Sequence, residues 1–150
     1  MISSTHLITS KISIMETTIS KKVSLQETEK NFKAYFESHD VQYVAEDAVF
    51  INMGTGEETR GREAIGAMLH YIYHVAFDAH ADTIGYFVTE DRAVLEGYFT
   101  GKHIGEFAGI LATNREVRVP LCVTYELENG FIKSGRVYML GDVMMRQLTE

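Results

Sequence analysis

The chain has 150 residues, 45% of them hydrophobic, and 21 acidic against 14 basic residues give a formal charge of −7. That size and apolar fraction suit one domain that buries most of its chain, and the acidic balance excludes a nucleic-acid surface, whose phosphates need clustered Lys and Arg. The single cysteine, Cys122, excludes an intrachain disulfide framework and fits a reducing, cytoplasmic setting.

Residues 1–24 stand apart, rich in Ser, Thr and Ile. Lys11 interrupts the apolar pairs around it, so neither a signal peptide nor a membrane anchor is expected, and the segment reads as a mobile extension. Met15 is a candidate native start that intact mass would decide. Ser24-Leu-Gln-Glu27 then has the capping-box pattern. Leu25, Phe32, Tyr35 and Phe36 follow at helical spacing, which predicts a helix to about Ser38. Asp40 can cap a short second helix carrying Val41 and Val44. Ala48 to Met53 predicts a strand ended by Gly54-Thr-Gly56. Arg62 to about Val75 predicts a third helix, with Ile65, Met68, Leu69, Ile72 and Ala76 on one face. Strands are expected over about 77–88, 93–102, 116–128 and 131–140, and Asn129-Gly130 joins the last two in a hairpin because both residues accept positive φ. Met139, Val143, Met144 and Met145 read as an exposed strip after the last strand, soft enough for self-association. Helices first and an antiparallel meander after them predict an α+β domain over 25–150, three N-terminal helices covering one face of a curved sheet.

The most informative stretch runs from Gly101 to Pro120. The words H-x-G-E-F-x-G-I (His103, Gly105, Glu106, Phe107, Gly109, Ile110) and T-x-R-x-V-x-V-P (Thr113, Arg115, Val117, Val119, Pro120) resemble the SnoaL-like polyketide cyclases and ester cyclases of the nuclear-transport-factor-2-like superfamily. The resemblance covers about residues 25–142. It implies a cone-shaped curved sheet with three helices closing its wide end, a pocket inside, and a homodimer formed through the outer sheet face. It also implies lyase- or isomerase-type ring closure, with no cofactor.

Candidate site residues follow from the alternation of strand faces. If His103 points inward, as the family's histidine does, Leu95, Gly97, Phe99 and Gly101 share its direction, and the two glycines leave room for a ligand. Phe50 and Asn52 form a same-face pair on the first strand. The run Ala45 to Met53 with Gly61 to Ile65 looks like the corresponding region of limonene-type epoxide hydrolases, whose asparagine Asn52 matches, while Phe50 lacks the hydroxyl of their tyrosine. Their Asp–Arg–Asp relay falls on Gly97, Phe99 and Val137, an apolar trio that cannot move protons, which rejects that activity. The cyclase strand D-x-Y-x-x-x-D/N-G falls on Val123 to Gly130: Tyr125 and Gly130 match, but Val123 stands where the acid–base aspartate belongs. Gly135-Arg-Val137 replaces the terminal H-W-D segment. The expected catalytic residue is therefore His103, a general acid or base near neutral pH. Phe50, Asn52, Tyr98, Phe99, Glu106, Phe107, Val123 and Tyr125 are the expected substrate-binding residues, with Tyr98, Tyr125 or Asn52 hydrogen-bonding an oxygen. The bland alternative for His103 is a histidine bonded to its own loop, and for Glu106 a turn cap.

Other patterns read as structural. His70 and His74 share a helix face, with Asp78 or His80 as the nearest third ligand, but H-x-x-x-H is common by chance and no metal is expected. Glu57 and Glu58 would repel a phosphate from the Gly54–Gly56 turn. Cys122, between Leu121 and Val123, reads as a strand thiol, and Arg136 with Tyr138 as surface or interface pairs. Three readings stay open: a domain that takes a small, largely apolar organic molecule into its cone and works on it by acid–base chemistry; a binding module without catalysis on the same scaffold; or a dimeric interaction protein whose pocket is vestigial and filled by Phe50, Phe99 and Tyr125. None involves nucleic acid or membrane.

Overall fold

The structure, a computed structural model, describes residues 22–150; the expected N-terminal extension and the candidate start at Met15 fall almost wholly on residues outside it. Helix α1 (Leu25–Ser38) opens as its sequence predicts, with the Ser24 hydroxyl accepting from the Glu27 amide at 3.1 Å. A 3-10 turn (Val41–Tyr43), capped by Asp40, leads into β1 (Val44–Asn52). A short strand β2 (Glu58–Arg60) follows, then α2 (Arg62–His70) and a π-helical turn (Tyr71–Ala76). Four long strands complete the sheet: β3 (Phe77–Val88), β4 (Arg92–His103), β5 (Glu116–Glu128) and β6 (Phe131–Met139). Helix α3 (Gly141–Thr149) ends the chain.

The six strands form one sheet in the order β2-β1-β6-β5-β4-β3. All neighbours are antiparallel except β1 and β6, so the sheet is mixed. Asn129 (φ 51) and Gly130 (φ 79) make the expected tight β5–β6 turn. The expected α+β cone with N-terminal helices is present. The second helix is only one 3-10 turn, because three residues between Asp40 and an extended Val44 leave no room for more. Two elements escaped the sequence reading. Strand β2 is three residues long, too short for a period. The segment after β6 is a helix that splits the expected strip: Met144 and Leu148 are buried against Val117, Val119 and Phe99, while Met145 stays exposed. Gln147 fixes its place by pairing with the Arg118 backbone, accepting from the amide at 2.7 Å and donating to the carbonyl at 2.9 Å. It thus supplies the hydrogen bonds a neighbouring strand would give where β6 has ended.

Gly97 and Gly101 shape the cone in a way the sequence reading did not foresee. A Cβ at Gly97 would lie 2.3 Å from the Asp82 carbonyl oxygen, and one at Gly101 2.4 Å from that of Asp78. Both glycines therefore let β3 curl tightly across β4, rather than clearing space for a ligand. The inward side chains form two apolar groups. One gathers Phe32, Tyr35, Phe50, Leu95, Val123 and Tyr125 under α1; the other gathers Tyr73, Phe77, Phe99, Val117 and Met144 toward α3.

Candidate functional site

A cavity of about 390 Å³ opens between the helices and the concave face of the sheet, a size ordinary for small-molecule sites. Its walls are mainly apolar: Phe50 and Ile51 from β1, Leu95 and Phe99 from β4, Leu121 and Val123 from β5, Val137 and Met139 from β6. Met68, Leu69 and Ile72 cover it from the helical side, and Phe107 closes a corner from the β4–β5 loop. Exposed Asn52, Glu57 and Tyr71 mark where it meets the surface. Three consecutive residues of the π-helical turn, Tyr71, Ile72 and Tyr73, line this one cavity, Tyr71 at its exposed rim. Widened turns of this kind recur at functional sites.

A polar strip interrupts the apolar wall. Tyr125, Tyr35, His39 and Tyr73 follow one another, with ring centroids 6.1 Å apart for Tyr125–Tyr35, 6.0 Å for Tyr35–His39 and 4.3 Å for His39–Tyr73. Burial holds all three phenols neutral. It pushes Tyr73 up to about 12 and Tyr35 well above an ordinary tyrosine, with Tyr73 adding to the effect on Tyr35. Burial also raises Tyr125 well above its ordinary value, Tyr35 adding to it. The Tyr35 and Tyr125 rings meet edge to face, so the two phenols lie side by side at this edge of the cavity. His39 moves the opposite way: burial, then the nearby His74, push it down to about 4, so its imidazole is neutral at pH 7.

The expected site residues divide by position. Phe50, Asn52, Phe99, Phe107, Val123 and Tyr125 all line the cavity. Asn52 sits at the rim, its side-chain oxygen accepting from the Gly54 amide at 2.9 Å and holding the turn that follows. Tyr98 lies on the opposite face of β4 from Phe99, half-buried, with the Arg118 guanidinium 4.0 Å from its ring centroid. The period-two alternation that turns Phe99 inward necessarily turns Tyr98 outward. Glu106 is exposed and lies outside the lining; its backbone carbonyl accepts from the Tyr71 hydroxyl.

His103 corrects the central expectation. It does share the inward face of β4, but it lies four residues past Phe99, is fully buried and does not line the cavity. Phe77 packs on its ring at 5.0 Å. Thr113 occupies its Nδ1, with the hydroxyl at 3.0 Å and the amide donating at 3.2 Å, while Nε2 is buried without a partner among the described residues. The Asn114 amide donates to the His103 carbonyl and the His103 amide to the Arg115 carbonyl, both at 2.9 Å. The recurrent words that pointed to a catalytic loop thus build a latch. Gly105 passes under the helical turn, where a Cβ would meet the Val75 carbonyl oxygen at 2.3 Å, and Phe107 bridges to Ile110. Arg115 reaches the Gln147 carbonyl of α3 at 3.4 Å.

Val123 stands in the cavity wall, so the place of the expected carboxylate is an apolar surface. Glu57, exposed at the rim, is the one carboxylate among the lining residues. The residues that sequence reasoning missed are His39, Tyr35 and Tyr73. Tyr35 and Tyr73 were hidden in helical periodicity, and His39 had as its signal only its place just past a helix end, where a left-handed residue is expected. His70 and His74 stack at 5.4 Å on the exposed helix surface, His80 bonds Asp82 at 2.9 Å instead, and among the described residues no three potential ligands gather around a metal position. No described helix is long and apolar enough to cross a membrane.

The geometry has close counterparts. A candidate SnoaL-like polyketide cyclase from Jannaschia sp. CCS1 matches with a TM-score of 0.74 at 16% identity, over 83% of this chain and 92% of that one. A candidate polyketide cyclase from Silicibacter sp. TM1040 matches at 0.72 and 20% identity, over 85% and 99%. TsrD from Streptomyces laurentii matches at 0.66 and 23% identity, over 83% and 93%. At these identities the likeness establishes the fold alone. No curated protein gives a significant match. The family model for SnoaL-like polyketide cyclases matches residues 30–148, nearly the whole described chain, and the protein belongs to that family.

Proposed function

We propose that this domain binds a small, largely apolar organic molecule bearing at least one oxygen, with the carbon skeleton against Phe50, Leu95, Val123 and Val137 and the oxygen at the tyrosine–histidine strip. The observation that carries this reading is the cavity itself: about 390 Å³, apolar on most sides, with neutral hydrogen-bonding groups converging at one edge. Neutral phenols suit a neutral or weakly polarised oxygen, and Val123 offers a ligand contact area but no proton. The pocket is not filled by Phe50, Phe99 and Tyr125, which form its walls and leave it open.

Binding of 2-naphthol, a compact aryl alcohol, tests this by fluorescence titration. Saturable binding with a matching rise in melting temperature is expected in the native protein and in His103→Ala. Val123→Trp, which fills the cavity, should abolish it. Equal binding to the Val123→Trp protein would place the ligand elsewhere and sink the reading. Self-association belongs to the same proposal: the outer sheet face carries exposed Tyr138 beside half-buried Cys122. Sedimentation velocity on the native protein and Tyr138→Glu decides it, a dimer that turns monomeric being the expected result.

A further inference from the structure

We propose that His39 is the proton acceptor of the cavity, removing a proton from a carbon next to a carbonyl group while Tyr35 hydrogen-bonds the carbonyl oxygen. The inference rests on the binding reading above and adds a chemistry to it.

Position comes first. His39 lines the cavity and stacks on Tyr73 at 4.3 Å, and among the described residues no hydrogen-bond partner occupies either ring nitrogen. Its backbone is the second observation. His39 follows α1 with φ 54 and ψ 29, its amide donating to the Tyr35 carbonyl at 2.6 Å. Glycine or asparagine takes that left-handed position at less cost, and here the turn carries the His39 ring into the cavity lining. The third is elimination within the lining. The phenols are held protonated, and Glu57 is exposed at the rim, which leaves His39 as the one inner side chain able to take up a proton.

The groups facing His39 are Tyr35 from its own helix, and Tyr73 and His74 from the π-helical turn. None is an anion, so the resting imidazole is neutral and open to a proton. It is also a weak base until charge develops beside it. As a C–H bond breaks, its electron pair forms a C=C bond and the carbonyl π pair moves onto oxygen. The proton passes to His39, and the imidazolium then lies beside an enolate that stabilises it. Returning the proton to the same carbon regenerates the ketone, and returning it to a conjugated carbon shifts a double bond. No co-reactant is consumed.

Hydrogen–deuterium exchange of the methylene group of phenylacetone in D2O, followed by ¹H NMR with the intact protein, tests this. Saturation-transfer difference spectra on the same samples report binding. The native protein and His103→Ala should accelerate exchange over buffer, and His39→Asn, which keeps the left-handed backbone, should lose at least tenfold of that acceleration while still binding. The native rate should fall as acid titrates a group below the ordinary histidine range, and the variant should lack that fall. Binding with equal exchange in native protein and His39→Asn overturns the inference and leaves the binding reading standing. Absence of phenylacetone binding to the native protein overturns both.

Discussion

The two inward histidines, joined by the ring contacts of Tyr73, Phe99 and Phe77, stand in opposite surroundings. His103 sits in the corner where β4 leaves the sheet, wholly buried, with one nitrogen held by Thr113 and its ring under Phe77. His39 sits where α1 ends, half-buried, with its ring in the cavity wall and its backbone in the left-handed region. The first is surrounded by a recognisable motif and holds the fold together. The second has no motif and faces the cavity. A recurrent sequence word therefore marks a constraint without saying whether the constraint is chemical or architectural; here the backbone contacts around Gly105, Thr113 and Arg115 make it architectural.

The comparison breaks if the two histidines respond alike to substitution. His103→Ala should cost about 3 kcal/mol, a large-to-small change at a fully buried site that also strands Thr113. In a domain of this size that lowers the melting temperature by roughly 10 °C. His39→Asn should change stability at pH 7 by less than about 1 kcal/mol, because asparagine tolerates the left-handed region. Chemical denaturation of both variants measures the contrast, and equal losses would erase it.

Acid should separate them next. His39 has an ordinary value of 6.5 and a folded value of about 4. Between those values the unfolded chain binds more protons than the folded one, so stability falls as the pH drops through that window and is fully present above it. The loss by pH 4 should be on the order of 2 kcal/mol after allowance for partial exposure. His39→Asn should flatten that part of the stability curve. An unchanged slope would mean another group carries the acid response.

Thr113→Val sharpens the His103 side alone. It removes the hydroxyl that faces Nδ1 and accepts from the Arg115 amide, at an expected cost of about 1–2 kcal/mol, with 2-naphthol binding unaffected. Gly130→Ala supplies a small change outside both sites, about 1 kcal/mol, since alanine at φ 79 is strained in the β5–β6 turn. Thermal melts with and without ligand would show whether either leaks into the cavity.

The four long strands, the Asn129-Gly130 turn, the cap of α1 and the α+β order were legible in the sequence because each rests on local chemistry: alternation, positive φ, or an orphan amide needing an acceptor. The cone was legible only through the family resemblance. The sequence by itself also determined that Val123 leaves the cyclase position without a carboxylate, since a missing oxygen is visible in the residue itself. Only the tertiary structure decided which inward residues meet the cavity. Phe99 and His103 share one face of β4 and both pack on the Phe77 ring, at 5.2 and 5.0 Å, yet only Phe99 reaches the cavity. Periodicity fixes direction along a strand and says nothing about where the opposing layer ends. The same holds for α3, whose burial depends on β6 stopping short of Arg118, and for the tyrosine–histidine strip, whose members meet only because α1, the π-helical turn and β5 converge around one space.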